Sequence, residues 1–184
     1  MKHGILKASP VAAITIGVLL LLSKPVHAAD SGSIEFGTGN RTQVVRVGSQ
    51  WRWDQRWWES NGTHIGGYWD ATLMVWHGSR YQNVPDATQN LGGIGITPVF
   101  RLQRDSLKGP YAEAAIGAHL LSDIYDNNGR TFSTRFQFGD HLSVGYVFNN
   151  GVDLSLKAQH FSNGAIKRPN PGVNFLLLRA SYPF

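Results

Sequence analysis

The sequence has no cysteine among its 184 residues, so disulfide bonds cannot contribute to its stability. An exported chain without disulfides needs another source of rigidity, and a sheet whose backbone hydrogen bonds close on themselves provides one. Acidic residues are few as well, at 12 against 17 lysines and arginines. The cations stand singly among acids and aromatics and form no clustered basic face, so we expect no nucleic-acid partner.

The apolar run of residues 11–22 is too short and wrongly flanked for a membrane-spanning helix. It follows the cations Lys2 and Lys7 and leads to Val26-His27-Ala28, which is the order of parts in a secretory signal peptide. We predict a signal peptide over residues 1–28, with cleavage after Ala28 or one residue later. Its removal takes away three lysines and no acid, so the formal net charge falls from +5 to +2.

The rest of the chain contains no linker, low-complexity segment or block of like charge, which predicts a single domain over residues 29–184. Turn-forming glycines and asparagines recur there at short intervals, from residues 37–40 to residues 170–172. Short segments between regular turns are typical of an all-β protein.

The polarity of alternate residues indicates a membrane barrel. Side chains alternate between the two faces of a strand, and a membrane barrel turns its apolar face to lipid and its polar face to the lumen. In the segment 152–162 one face carries Val152, Leu154, Leu156 and Ala158, and the other carries Asp153, Ser155, Lys157 and Gln159. The segments 43–54, 67–76, 94–103 and 111–120 alternate in the same way.

With the segments 31–38, 136–148 and 173–184, the count reaches eight, and we predict an eight-stranded antiparallel transmembrane β-barrel of the outer membrane. Eight strands leave no open channel, which argues against a porin. Charged residues on the inward parity are expected to pair and fill the lumen: Arg46, Asp70, Arg101, Glu113 and Lys157.

Aromatic residues support the membrane interpretation. Five tryptophans near the turn at residues 55–66 are expected to form an interfacial girdle, the alternative being the core of a soluble β-protein: Trp51, Trp53, Trp57, Trp58 and Trp69. The chain ends in apolar residues of one parity up to Phe184. Such an ending is typical of the strand that outer-membrane proteins present to their insertion machinery, which is therefore an expected partner.

His160 and Ser162 continue the lipid-facing parity of the segment 152–162. Polar side chains on that face are costly and indicate a functional site. Residues two apart on a strand lie about 7 Å apart, close enough for an imidazole to reach a hydroxyl. A neutral imidazole that accepts the serine proton makes the serine a nucleophile toward an ester. The alternative is a solvated pair at the end of the strand.

A third residue should orient the imidazole. If residues 149–151 form a tight hairpin turn, Phe148 pairs with Val152 and Asp140 lies opposite His160 on the lipid-facing parity. Asp140 is therefore a candidate orienting residue, and its alternative is a solvated carboxylate near a loop.

Residues 158–170, with the sequence AQHFSNGAIKRPN, resemble the hallmark segment of the lipid A 3-O-deacylases called PagL. The similarity continues through residues 51–54, 67–71, 98–100 and 113–117 and spans nearly the whole mature chain. It implies an outer-membrane barrel whose serine-hydrolase site faces the outer leaflet and cleaves the ester-linked acyl chain at the 3 position of lipid A.

The resemblance also implies roles for residues that match the family motif. His160 matches the base, Ser162 the nucleophile and Asn170 a residue of the oxyanion hole. The backbone amides of Gly164 and Ala165 are further oxyanion candidates.

Three more residues of this segment are expected to contact the substrate. Asn163 lies within the motif, and the loop cations Lys167 and Arg168 would meet lipid A phosphates. For these two cations the alternative is plain solvation.

One position departs from the family pattern. The orienting acid of the family is a glutamate on the last strand, and Asn174 stands at the matching position. An amide can accept from the imidazole and fix its tautomer, but it brings no charge. We expect Asn174 to suffice, and the alternatives are Asp140 as the source of charge or a shifted alignment across Pro171.

No cofactor is predicted, and the dispersed histidines lack the spacing of a transition-metal site. The resemblance implies an integral outer-membrane protein with both termini in the periplasm, in contact with outer-membrane lipids and with lipopolysaccharide as substrate. It also allows a homodimer. Two other functions stay open from the sequence: a non-enzymatic barrel with an adhesive or structural role, and a lipid A acyltransferase.

Overall fold

The computed structural model describes residues 28–184. The predicted signal peptide lies outside the described residues except for Ala28. The strands are β1 (Ser31–Gly39), β2 (Thr42–Arg52), β3 (Trp57–Ser60), β4 (Thr63–Gly78), β5 (Gln89–Arg104), β6 (Gly109–Leu121), β7 (Asp126–Asn127), β8 (Arg130–Thr131), β9 (Phe136–Val147), β10 (Asp153–Ser162) and β11 (Val173–Pro183). Among these residues there is no helix that could span a bilayer.

The eight long strands close into an antiparallel barrel. Their order is β2-β1-β11-β10-β9-β6-β5-β4, and pairing between β2 and β4 completes the ring. Closure satisfies the backbone hydrogen bonds of every strand, so no sheet edge is left within the wall. The predicted eight-stranded barrel is confirmed. In the described residues, strand β3 pairs with β4 alone and lies outside the ring. Strands β7 and β8 pair with each other in the loop 122–135.

The alternation of side chains follows the prediction. On β10, Leu154 and Leu156 face outward, whereas Ser155 and Lys157 are buried in the lumen. The predicted paired lumen is also confirmed. Lys157 Nζ lies 2.7 Å from Glu35 Oε1, and Arg101 contacts both Glu113 at 2.6 Å and Asp153 at 2.9 Å. Asp70 Oδ1 accepts a hydrogen bond of 2.7 Å from Gln50 Nε2, and Arg46 Nη1 lies 3.3 Å from Glu35 Oε2.

The two ends of the barrel differ. The terminal end carries Asp30, Phe184 and the connections 53–62, 105–108 and 148–152, whereas the loop end carries the turn 40–41 and the loops 79–88, 122–135 and 163–172. Ring contacts of Trp53 with Trp57, Trp69 and Phe100, at 5.1 to 6.1 Å between centroids, lie near the terminal end. Three of the five tryptophans are thus in ring contact, and the interfacial girdle stays a prediction.

The lumen near the loop end is apolar, which the sequence analysis did not anticipate. Trp76 packs at its centre against Phe161, Phe175 and Tyr125, with ring centroids 4.8 to 5.6 Å apart. Tyr125 belongs to the loop 122–135, whose β7–β8 hairpin folds over the barrel mouth. Asn127 of that hairpin is buried and donates to the backbone oxygen of Asn40 at 2.8 Å. The loop end is thus closed by a packed cap.

Candidate active site

The last residues of β10 bring His160 and Ser162 to the outer wall at the loop end. Their neighbours Gln159 and Phe161 are buried in the lumen, while His160 and Ser162 are half-buried on the lipid-facing side. The extended strand dictates this placement, since residues two apart share a face. The predicted outward position of the pair is therefore confirmed.

The imidazole of His160 is held by the neighbouring strand β11. Asn174 is the direct register partner of His160, and the Nδ1 of His160 lies 2.6 Å from Asn174 Oδ1. An amide oxygen only accepts, so Nδ1 carries the proton and donates it to this hydrogen bond. The other ring nitrogen, Nε2, is then left with a free lone pair that can accept a proton.

Asp140 occupies the place that the hairpin register predicts. Phe148 and Val152 form the backbone hydrogen bond that closes the turn, and Asp140 pairs with His160 across β9 and β10. The hydrogen bond of the imidazole nevertheless goes to Asn174. Asp140 instead lines the outer wall beside His160.

Gly172 lies against the imidazole at Cε1 and Nε2, and the sequence analysis missed it. A Cβ at this position would lie 2.5 Å from His160 Cε1 and 2.9 Å from Nε2, and the φ of Gly172 is +61°. Any larger residue would both strain the backbone and displace the ring. The only signal in the sequence was Pro171-Gly172 before the last strand, which we interpreted as a turn.

The loop 163–172 places hydrogen-bond donors next to Ser162. The amide nitrogen of Gly164 lies 3.5 Å from Ser162 Oγ. Asn170 Oδ1 accepts a hydrogen bond of 3.0 Å from the amide of Asn163, which leaves the Nδ2 donors of Asn170 for another acceptor. Gly164 and Ala165 both have positive φ, at 62° and 63°, so the backbone here is in a conformation that L residues rarely adopt.

Asn163 is buried beneath this loop. Its Nδ2 donates to Ser133 Oγ at 2.8 Å and to the backbone oxygen of Lys167 at 2.7 Å. Ser133 Oγ also donates to that backbone oxygen at 2.8 Å. The side chain of Asn163 therefore joins two loops, a role that differs from the substrate contact expected for it. The side chains of Lys167 and Arg168 are exposed on the same loop.

An open groove of about 700 Å³ runs along the outer wall beside His160. The outward alanines Ala114 and Ala158 leave space between larger side chains, and the walls are mostly apolar. Beside His160, Asn174 and Asp140, the lining includes Pro98, Phe100, Ala114, Ile116, Leu142 and Ala158. A long apolar chain fits such a surface better than a polar ligand does.

Fold and site together define a class, an outer-membrane β-barrel with a histidine, a serine and an apolar groove on its lipid-facing wall. The model of the protein family described as lipid A 3-O-deacylase (PagL) matches residues 43–183. The chain belongs to the PagL family, which confirms the resemblance that the sequence motifs indicated.

Individual relatives agree with the family assignment. The lipid A deacylase PagL of Pseudomonas aeruginosa is 32% identical over 169 residues, which cover 87% of this chain and 91% of that protein. The lipid A deacylase PagL of Bordetella bronchiseptica is 29% identical over 132 residues, covering 70% and 57%. The crystal structure of the outer membrane enzyme PagL has a TM-score of 0.72 and 26% identity, covering 84% of this chain and 99% of that one. The protein is therefore an outer-membrane protein.

Proposed function

We propose that Ser162 and His160 remove the 3-O-linked acyl chain of lipid A by a serine-esterase mechanism. Membership of the family makes the protein a lipid A 3-O-deacylase. In the proposed first step His160 Nε2 takes the proton of Ser162, and Oγ attacks the ester carbonyl carbon. The ester bond to the sugar breaks, and the sugar oxygen receives the proton. Water, activated by the same imidazole, then releases the fatty acid and restores Ser162.

The observation that carries this proposal is the hydrogen bond from His160 Nδ1 to Asn174 Oδ1 on the lipid-facing wall. This hydrogen bond fixes the tautomer in which Nε2 of His160 is the base. Ser162 follows two residues later on the same face of β10. Among residues 28–184, His160 and Ser162 share no direct hydrogen bond. Catalytic hydrogen bonds are often long before substrate binds, and residues two apart on one face of a strand are close enough for an imidazole to reach a hydroxyl.

The oxyanion of the tetrahedral intermediate needs preorganised donors. We assign this role to Asn170 Nδ2, because the Oδ1 of that residue is already engaged by the amide of Asn163. The amides of Gly164 and Ala165 are the further donors, since the backbone turns at these two residues next to Ser162 Oγ.

The groove beside His160 gives the substrate a route that avoids water. Lipid A in the surrounding leaflet would place its scissile acyl chain along the apolar wall, with the ester at the loop end and the headgroup above it. The exposed Lys167 and Arg168 would then face the headgroup phosphates.

This arrangement requires the loop end to face the outer leaflet and both termini to face the periplasm. Three of the four loop-end connections have ten or more residues, against one of the three at the terminal end, and outer-membrane barrels have short periplasmic turns and longer extracellular loops. A homodimer and recognition of the C-terminal strand by the insertion machinery stay predictions.

The mechanism is tested with the purified protein in vesicles that contain lipid A and phospholipid. We expect Ser162→Ala to lower the rate of 3-O-deacylation by about 10³-fold or more, as removal of a nucleophile does in other serine hydrolases. Mass spectrometry of the lipids measures the rate. Ser155→Ala is the matched control, because Ser155 lies on the same strand but points into the lumen. Full activity of a folded Ser162→Ala variant would rule out the mechanism.

The same experiment separates hydrolysis from acyl transfer. A hydrolase yields free fatty acid, whereas an acyltransferase moves the acyl chain to a second lipid. Detection of a new acylated phospholipid in place of fatty acid would overturn the hydrolytic second step.

A further inference from the structure

The charges of the described chain are distributed unevenly among three regions. The lumen holds four cations and four carboxylates: Arg46, Arg101, Lys157 and Arg179 with Glu35, Asp70, Glu113 and Asp153. The terminal end also holds four of each: Arg52, Arg56, Arg104 and Lys108 with Asp30, Asp54, Glu59 and Asp105. The loop end holds six cations and four carboxylates: Arg41, Arg80, Arg130, Arg135, Lys167 and Arg168 with Asp86, Asp123, Asp126 and Asp140. All of the net positive charge of residues 28–184 therefore lies at the end that carries the active site.

The cations of the loop end are also free of carboxylate partners. Each of the four lumen cations has a carboxylate within 4.0 Å. None of the six loop-end cations has one, as far as the described residues 28–184 show. Unpaired cations concentrated at one end of the barrel attract an anionic partner there.

One of these cations is fixed next to the catalytic residues. Arg130, on β8 of the capping hairpin, donates from Nη1 to the backbone oxygen of Pro171 at 2.8 Å. Pro171 precedes Gly172, on which the imidazole of His160 rests. The remaining guanidinium donors of Arg130 have no acceptor within residues 28–184.

A polar pocket of about 200 Å³ opens beside this guanidinium. Its lining consists of Asn40, Arg130 and the segment 171–174, so it ends at Asn174, the residue that holds His160. The amide of Asn40 is occupied by Tyr125 and Asn127, which makes that wall rigid. A planar guanidinium held at one nitrogen and open at the others is suited to a phosphate, which it can bind through two parallel hydrogen bonds.

We infer that this pocket is a phosphate subsite in which Arg130 binds a sugar phosphate of the lipid headgroup while His160 and Ser162 act on the ester. The inference rests on the proposed function and adds a specificity-determining residue to it. Lipid A is an acylated glucosamine disaccharide with a phosphate at each end. Its 1-phosphate and 3-O-ester lie on the same sugar ring, and the pocket of Arg130 is linked to the site through Gly172 and Asn174, which both contact His160, so the 1-phosphate is the expected ligand. The 4′-phosphate, on the other sugar, is the second source of the same chemistry.

The test compares Arg130→Gln with the wild type on three substrates in vesicles: lipid A with both phosphates, lipid A without the 1-phosphate, and lipid A without the 4′-phosphate. A hydrogen-bonded pair of charges typically contributes enough to change kcat/KM by about 10-fold to 100-fold. We expect Arg130→Gln to lose that factor on lipid A with both phosphates, mainly through KM, and to lose nothing on the substrate without the 1-phosphate. The same pattern with the 4′-phosphate would support the subsite and identify the other phosphate as its ligand.

Arg135→Gln is the matched control. Arg135 lies in the same loop, makes one hydrogen bond to a backbone oxygen, that of Ser122, and does not line the pocket. An equal loss in both variants would replace the subsite by general attraction of anionic lipid. An equal loss for Arg130→Gln on all three substrates would reduce Arg130 to a support for Pro171. Either result overturns the inference, whereas failure of the proposed mechanism would appear separately, as full activity of Ser162→Ala.

Discussion

Asn174 holds the imidazole of His160 through a neutral amide, where the family pattern has a glutamate. The amide fixes the tautomer but gives the imidazolium no opposite charge in the transition state. We expect the isosteric Asn174→Asp to raise kcat about tenfold, because a charge-assisted hydrogen bond is roughly twice as strong as a neutral one. We expect Asn174→Ala to lower kcat about 100-fold, because the ring loses its orientation. Deacylation rates measured in lipid A vesicles check both variants.

Two controls accompany this prediction. Asn149→Asp makes the same chemical change in the turn at the terminal end, far from the site, and should leave the rate unchanged. Asp140→Ala removes the carboxylate beside His160. A wild-type rate in Asn174→Ala together with an inactive Asp140→Ala would transfer the orienting role to Asp140.

The residues of the site were predictable from the sequence to different degrees. Strand parity alone placed His160 and Ser162 on the lipid-facing wall, and the hairpin turn placed Asp140 opposite His160. Asn174 could be matched only through the family motif, because its contact with His160 depends on how β11 aligns after a loop whose conformation the sequence does not reveal. The burial of Asn163 could not be predicted from the sequence either, because its partner Ser133 lies in another loop.

At the scale of elements, the junction between the loop 163–172 and β11 must present a flat surface to the imidazole. Gly172 provides it, with a φ of +61° and no side chain. We expect Gly172→Ala to lower kcat at least tenfold while the barrel stays folded, because the new Cβ would lie 2.5 Å from His160 Cε1 and must displace the ring. Activity in vesicles and the unfolding midpoint measure the two effects separately.

Gly129→Ala separates the contact from the backbone effect. Gly129 has a φ of +72° at the loop end, and a Cβ there would meet nothing within 4 Å. Both substitutions force an L residue into the left-handed region, but only one of them touches the imidazole. An equal loss of activity in the two variants would show that backbone strain, and not the contact with His160, explains the effect.

The eight strands were predictable as elements because each buries one face and exposes the other. The ends of the strands were less predictable. Strand β4 spans Thr63–Gly78, whereas the sequence predicted 67–76, and β5 spans Gln89–Arg104, whereas the sequence predicted 94–103. Beyond the apolar band the alternation fades, yet the neighbouring strand continues to offer hydrogen-bond partners, so pairing extends the ladder. The hairpin of β7 and β8 has no such alternation, and its packing on Trp76 through Tyr125 is a tertiary contact that the sequence pattern does not encode.

At the scale of the whole molecule, the barrel has an apolar exterior, a lumen that is charged toward the terminal end and a lumen that is aromatic toward the loop end. The charged part is electrically balanced, and it holds the strands from inside. The aromatic part lies directly behind His160, where Phe161 and Phe175 fill the space between the wall and Trp76. A rigid wall behind the site keeps the imidazole and the serine in position without any support from the lipid side.

Glu35 is the centre of the charged lumen, and its substitution tests that support. The carboxylate contacts Lys157, Arg46 and Arg179 and is fully buried. Glu35→Gln would leave three buried cations around a neutral amide, and we expect the free energy of unfolding to fall by about 3 to 5 kcal/mol. Lys157→Met should cost less, because Glu35 keeps Arg46 and Arg179. Urea unfolding in vesicles, followed by tryptophan fluorescence, measures both variants, and equal stability of Glu35→Gln and the wild type would contradict the prediction. Deacylase activity well below the unfolding midpoint should stay near that of the wild type, because within residues 28–184 the network ends at Gln159, which accepts from Arg46 Nη1 at 3.2 Å in the lumen, and does not contact His160 or Ser162.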